Sequence, residues 1–249
     1  QRAVNAVNDR HRRELTDFIH AELEGRPDLL AKCVPDYPPY GKRILLDNDW
    51  YRMLRKPGVE LVTEPIRRIR GAGIETADGM LREADVIVYA TGFKLTEMAA
   101  RLGIIGRGGR SLRQAWGDDD LRAYLGLTVP GFPNFFCMVG PGTSSGHGGS
   151  ITFIAEAQAR YITSCLVRMG EQGVSAIDVR PEVLDDYQRR FDAEHETLIW
   201  SHPGMSTYYR NRHGRVFTVL PWRLVDYWQA AHDADLADFH CTPSAPFSA

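Results

Sequence analysis

Asp85-Val86-Ile87-Val88-Tyr89-Ala90-Thr91-Gly92-Phe93 is the stretch that decides how this chain is expected to fold. Its apolar centre, Val86 to Ala90, is rich in β-branched residues and has no polar alternation. Such a run predicts a strand buried on both faces, as in a parallel sheet. It stops in a Thr-Gly turn. In open α/β sheets the backbone at a strand's carboxyl end meets the ligand, the arrangement of dinucleotide-binding folds. Yet the Gly-x-Gly-x-x-Gly fingerprint that opens such a fold occurs nowhere in the 249 residues. The chain also begins at Gln1, with no Met, inside a helical pattern. The expectation is therefore an α/β protein of which this is the C-terminal part.

On the N-terminal side of that run, Ile66 to Ile69 and Ile74 to Thr76 flank Gly71-Ala72-Gly73, and Asp78-Gly79 makes a further turn. This predicts a small β-meander feeding the Val86–Ala90 strand. Earlier still, Val59 to Val62 reads as a strand after the Pro57-Gly58 turn, Trp50 to Leu54 as a short helix, and Ile44-Leu45-Leu46 as a short strand or turn. A Pro-rich loop, Pro35 to Pro39, runs into Gly41-Lys42-Arg43. Residues 1–24 carry Val4, Val7, His11, Leu15, Phe18, Ile19 and Leu23 at helical spacing, broken by Gly25-Arg26-Pro27.

On the C-terminal side, residues 95–124 are loop-rich. Gly103, Gly106, Gly108 and Gly109 lack the strand before and helix after that a phosphate loop needs. Asn134 to Val139 predicts a second buried strand. It enters Gly140-Pro141-Gly142-Thr143-Ser144-Ser145-Gly146-His147-Gly148-Gly149-Ser150, then a helix over about 150–169 with Ile151, Ile154, Tyr161, Ile162, Cys165, Leu166 and Met169 on one face. Pro181 opens another helix, with Leu184, Tyr187, Phe191, His195 and Leu198 as its buried stripe. Residues 216–227 suggest a strand and then a helix, and the tail after Asp233 reads as weakly structured.

Composition narrows the class. A net charge of −2 gives no electrostatic case for nucleic acid or an anionic membrane. No apolar run approaches the roughly 20 residues of a membrane span. The charged N-terminus does not read as a signal peptide. Four dispersed cysteines without a Cys-x-x-Cys pair suggest reduced thiols and a cytoplasmic protein. Cys137 and Cys165 sit in apolar runs as small core residues, and Trp50, Trp116, Trp200 and Trp222 read as core or interface residues. His202, His213 and His232 have no metal-ligand spacing, so no metal is assigned.

Read for chemistry, Lys42-Arg43 is either a solvated surface pair or a pair of fixed cations at a site. Gly140 to Ser150 is either a plain strand-to-helix connection or a place of close backbone approach to a ligand. In the second case a helix start aims N–H groups and a positive dipole end at one point. His147 tempts as a base, but a lone histidine in a Gly-rich loop more often bonds locally.

Four segments occur in order: Tyr40-Gly41-Lys42-Arg43-Ile44; Ala90-Thr91-Gly92-Phe93; Pro130-Gly131-Phe132-Pro133-Asn134-Phe135-Phe136 through Gly140-Pro141-Gly142; and Ser206-Thr207-Tyr208-Tyr209-Arg210-Asn211. Each alone is weak. As an ordered set they resemble the C-terminal half of the flavin-dependent Baeyer–Villiger monooxygenases, particularly the hydroxyacetophenone monooxygenase type, over residues 36–228. The resemblance implies a flavoprotein with two Rossmann-like dinucleotide-binding domains, one for FAD and one for NADP, each discontinuous. On that map residues 1–35 are a helical segment of the NADP domain and 36–89 its end. Residues 90–235 are the C-terminal part of the FAD domain, and 236–249 a flexible tail. The family's Phe-x-Gly-x-x-x-His-x-x-x-Trp fingerprint and both phosphate-binding units are absent. Most pyrophosphate contacts must then come from a missing N-terminal half or a partner chain.

The resemblance also implies roles. Arg43 is the catalytic residue, lying over the flavin and stabilising an anionic peroxyflavin, while Lys42 contacts NADP. A guanidinium suits the task because it holds charge at any working pH without donating its proton, whereas a desolvated lysine can lose its proton. Thr91, Gly92, Gly140, Pro141, Gly142 and Ser150 are implied at the cofactor, Ser150 through its backbone. Tyr208 takes a place usually held by Trp near the nicotinamide ribose and substrate; it also suits simple packing at a loop. The implied activity is NADPH-dependent insertion of one oxygen atom from O₂ beside a ketone carbonyl, giving an ester or lactone. The alternatives are oxygenation of nitrogen or sulfur, or a non-catalytic fragment that packs on a flavoprotein partner.

Overall fold

A computed structural model of the chain describes residues 4–94, 102–117, 119–146 and 148–245. The chain divides into two compact units: residues 1–39 with 45–93, and residues 40–44 with 94–249.

In the first unit, helix α1 (Ala6–Glu22) starts where the Asn5 side chain accepts from the Asn8 N–H at 2.9 Å. Only the C-terminal end of its predicted stripe is buried. Ile19 and Leu23 pack with Leu29 of α2 (Pro27–Cys33) and Leu54 of α3 (Trp50–Leu54), while Val7 and Phe18 stay exposed. Polar contacts hold the Pro-rich loop instead. Arg12 donates to the carbonyls of Tyr37 and Pro35 at 3.1 and 2.8 Å, and Asn8 to that of Pro39 at 3.0 Å. The expected meander forms: β1 (Ile66–Arg70), β2 (Gly73–Thr76) and β3 (Leu81–Glu83) pair antiparallel in that order. Arg67, Arg68 and Arg70 converge on the Glu75 carboxylate.

Two predicted strands of this unit are absent. Residues 59–62 form no strand, and neither does 85–90. Val86 and Val88 are 78% and 83% exposed, and no strand partner is found among the described residues. A strand buried on both faces needs a neighbour on each edge and a layer on each side. Apolarity shows what a segment is suited to, not where its neighbours are. Ile44 to Leu46 likewise forms no strand, and Leu45 and Leu46 are exposed.

The second unit is built on α5 (Ile151–Glu171), which packs on a two-stranded antiparallel sheet of β4 (Val174–Val179) and β5 (Phe239–Pro243) and on α7 (Leu224–Ala230). Residues 239–243, expected in a flexible tail, are thus a strand. Pro181 opens α6 (Pro181–Glu196) at its first turn, as predicted. One core joins Ile154, Tyr161 and Cys165 of α5, Ile177 and Val179 of β4, Tyr187 and Phe191 of α6, Tyr227 of α7 and Phe239 of β5. Ile151 and Leu166, assigned to the buried face, are exposed, and Gln158 is inside. A second cluster forms around α4 (Leu112–Trp116), where Ser111 and Gln114 make a capping box. Trp116 and Trp200 are buried as expected, whereas Trp50 is 53% exposed.

The predicted strand at 134–139 is also missing. Asn134 and Val139 adopt φ of 55° and 52°, which no strand accommodates. Asn134 instead serves the edge of β4. Its side chain donates to the Ser175 carbonyl and accepts from the Ile177 N–H, both at 3.0 Å, and its own N–H donates to the Ile177 carbonyl at 2.9 Å.

Candidate functional site

Arg43 stands on a five-residue excursion, 40–44, that belongs to the second unit although its flanks belong to the first. Tyr40 takes φ 69°, a conformation that turns the chain sharply. Gly41 is buried against Met205; a Cβ there would lie 2.0 Å from its Cε atom. The excursion is thereby seated, and the next two side chains, Lys42 and Arg43, remain exposed. The Arg43 Nη1 donates to the Ser145 carbonyl at 3.1 Å.

Ser145 lies in the Gly-rich loop, which the rest of the unit holds from behind. Thr143 Oγ1 donates to the Gly140 carbonyl at 2.7 Å. Ser144 bridges to Val219: its N–H donates to the Thr218 carbonyl and its carbonyl accepts from the Leu220 N–H, both at 2.9 Å. Glycine is needed here because the chain's own side chains fill the space. A Cβ on Gly142 (φ 77°) would lie 2.7 Å from the Phe191 ring, and one on Gly146 would lie 2.4 Å from Trp200. Gly140, Pro141 and Gly142 are all buried. The close backbone approach read from the sequence is, at these residues, an approach to protein. Ser150 ends the loop as the cap of α5, accepting from the Phe153 N–H at 3.4 Å, and the first turn of α5 is open to solvent.

Behind the loop lies a polar network that sequence reading missed. The buried Gln158 side chain accepts from the Val139 N–H at 2.7 Å and donates to the Tyr227 hydroxyl at 2.8 Å, which donates to the Leu125 carbonyl at 2.7 Å. Leu125 and Val139 are two of the four described non-glycine residues with positive φ. The network satisfies backbone groups that these turns take out of regular pairing. Gln158 was readable in principle, as a polar residue at a core position of an otherwise apolar helical stripe.

His195 supports the loop from α6. Its Nε2 meets the Val219 carbonyl at 3.0 Å, and its ring packs edge-on to Phe191 and Trp200. Burial depresses its pKa to about 4.

Tyr208 is half-exposed, and its hydroxyl donates to that of Tyr209 at 3.1 Å. Tyr209 is buried, with its ring edge-on to Trp200. Burial raises the Tyr209 pKa above the ordinary tyrosine range. The positive charge of Arg43 opposes this rise. Arg210 holds the same segment by donating to the carbonyls of Trp200, His202 and Met205.

The second unit therefore brings Arg43, the Gly-rich loop and the Tyr208–Tyr209 pair together. Thr91 and Gly92 belong to the first unit, in an exposed run without regular structure. His147 lies outside the described residues. No described helix is long and apolar enough to cross a membrane.

No family model matches the chain. It is 48% identical over 242 residues to the uncharacterized monooxygenase y4iD of Sinorhizobium fredii, covering 97% of this chain and 37% of that protein. It is 34% identical over 221 residues to a Baeyer–Villiger monooxygenase of Streptomyces coelicolor, covering 88% and 42%. Among solved structures, an oxidized steroid monooxygenase bound to NADP matches with a TM-score of 0.81 at 28% identity, over 96% of this chain and 46% of that one. The chain is thus similar to a part of monooxygenases that include Baeyer–Villiger enzymes. It spans less than half the length of these relatives.

Proposed function

We propose that this chain supplies the C-terminal part of an FAD- and NADPH-dependent Baeyer–Villiger monooxygenase acting on a ketone. On this reading residues 1–89 complete the NADP-binding domain and those from about 90 onward the FAD-binding domain. The division of the chain at residue 93 supports the map. The observation that carries the activity is Arg43: an exposed, permanently charged guanidinium tethered to the Ser145 carbonyl of the Gly-rich loop.

The residues present suit one part of the cofactor set. A fixed guanidinium stabilises developing negative charge without quenching it. The chain has no Gly-x-Gly-x-x-Gly segment to hold a pyrophosphate, and Gly140 to Gly142 are buried. Phosphate binding is therefore assigned to the remainder of the polypeptide. Bound FAD, reduced by NADPH, supplies the activation of O₂. This chain's residues then position and stabilise. With the cofactors bound, Arg43 would stabilise negative charge developing next to the ketone, Lys42 and Tyr208 would contact the nicotinamide nucleotide, and the start of α5 at Ser150 would offer backbone N–H groups to the flavin.

The test is Arg43→Ala in the full-length protein. FAD binding should survive. Ketone oxygenation should fall by about 10²–10³, the cost of removing one preorganised charge-stabilising group, roughly 3–4 kcal/mol. Arg43→Lys should rescue only in part. Oxygenation of ketones at the parental rate by Arg43→Ala would overturn the assignment. A parent enzyme that oxygenates only amines or sulfides would overturn the substrate class.

A further inference from the structure

We infer that His195 is a positioning residue: by anchoring Val219 from behind, it fixes the loop carbonyl that orients Arg43. The inference rests on the role proposed for Arg43 and adds the device that supports it. Arginine has a long, rotamer-rich side chain, and an exposed one is ordinarily mobile. Arg43 is exposed, and its Nη1 donates to the Ser145 carbonyl at 3.1 Å. Such a tether orients the guanidinium only as well as the carbonyl itself is held.

Ser145 is held through the residues on either side of it. Ser144 is clamped to the 218–220 segment: its N–H donates to the Thr218 carbonyl and its carbonyl accepts from the Leu220 N–H. Gly146 packs on Trp200 and on Val219, where a Cβ would lie 2.9 Å from the Val219 Cγ1. Both neighbours thus depend on Val219, which is fully buried. Ser144 bonds to the residues flanking Val219, which leaves the Val219 carbonyl for another partner. His195 is that partner, with its Nε2 3.0 Å from the Val219 oxygen. A carbonyl only accepts, so Nε2 carries the proton and the neutral ring leaves Nδ1 bare. The His195 side chain is 3% exposed, and its ring lies edge-on to Phe191 at 4.6 Å and to Trp200 at 6.0 Å, so Nε2 is a rigid point. Nδ1 is buried with no hydrogen-bond partner among the described residues. An unpaired buried nitrogen costs stability that an apolar side chain of similar size would not. What only a donor supplies here is the bond to Val219. The contacts run from His195 to Val219, to Ser144 and Ser145, and to Arg43, every link within the second unit.

The test is carried out in the full-length protein. His195→Leu removes the donor and keeps apolar bulk, whereas His195→Gln restores an amide donor. His195→Asn, whose shorter amide falls short of Val219, replaces the leucine variant if that one does not fold. The first readouts need neither cofactor nor turnover. In the apoprotein, the amides of Ser144 and Leu220 should exchange faster in His195→Leu and near the parental rate in His195→Gln, while the centre of α5 keeps its protection. The rate at which a dicarbonyl reagent modifies Arg43, followed by peptide mapping, should rise in His195→Leu and return in His195→Gln. The second is a double-mutant cycle on ketone oxygenation. His195→Leu should lower kcat roughly ten- to hundredfold, the effect of a displaced catalytic group, with KM unchanged. It should cost nothing further in the Arg43→Ala background. Unchanged labelling of Arg43 in His195→Leu, no recovery in His195→Gln, an additive loss in the cycle, or exchange that quickens throughout the unit would each overturn the inference. Arg43→Ala active at the parental rate would overturn the proposed function instead, while exchange and labelling would still report whether His195 holds Arg43.

Discussion

His195 is a base kept neutral by its surroundings. Its Nε2–H donates to the Val219 carbonyl, its Nδ1 is buried without a hydrogen-bond partner, and burial, with Arg215 nearby, lowers its pKa from 6.5 to about 4. Between those values the unfolded chain binds a proton that the folded one refuses. The stabilisation is therefore complete above the unfolded pKa and is lost as pH falls from 6.5 towards 4, amounting to about 3 kcal/mol over the window. Denaturant unfolding across that range should show the slope in the parent and a flatter one in His195→Gln, whose amide still donates to Val219; equal slopes would count against the assignment. Glu75 behaves in the ordinary carboxylate sense. Hydrogen bonds from Arg68 and Arg70 hold it at about 2, so its contribution persists until pH falls below the unfolded value of 4.5 and is then lost towards 2. Gly146→Ala would drive a methyl into Trp200 and Val219, at a cost of about 1–3 kcal/mol in unfolding free energy. Because Ser145 precedes it, the same change should also loosen the carbonyl that holds Arg43.

Among the elements, those that close on themselves locally were legible. The helix start at Pro181, the Gly71–Gly73 turn of the meander and the 50–54 helix all follow from near-neighbour chemistry, and all are present. Segments whose state depends on distant partners were not. Val86 to Ala90 carries the composition of a central strand but has no strand beside it among the described residues. Residues 239–243 look like tail, yet pair with β4, whose Val179 lies opposite Phe239. At the candidate site, the excursion bearing Arg43 and the Gly-rich loop were visible as motifs. The grip of Gln158 and His195 was not, because each acts through a contact with no fixed sequence spacing. Amide hydrogen exchange on the 249-residue chain should separate the two kinds of element. Amides of residues 86–92 should exchange near the unprotected rate and the centre of α5 slowly, because a lone segment has no backbone acceptors and a packed helix does. Slow exchange at Val86 and Val88 would mean that the chain pairs that run with itself.

For the whole molecule, the governing fact is the share of the relatives it spans, between 37% and 46%. The chain contributes a charged residue and its supports, but no Gly-x-Gly-x-x-Gly turn to grip a pyrophosphate at a helix N-terminus. The 249 residues alone are therefore expected to hold FAD weakly or not at all, and to expose the apolar run around Val86. Purification of the chain with stoichiometric, tightly held FAD would contradict this. The excursion at 40–44 has one more consequence. The polypeptide passes between its two units three times, near residues 39, 44 and 93. A single protease nick near 93 cannot release the second unit intact, for its smallest part would stay behind, still joined to α1 and α3. A gene segment that starts at 94 would encode the Gly-rich loop, α5 and both tyrosines but leave Arg43 on the other side of the cut.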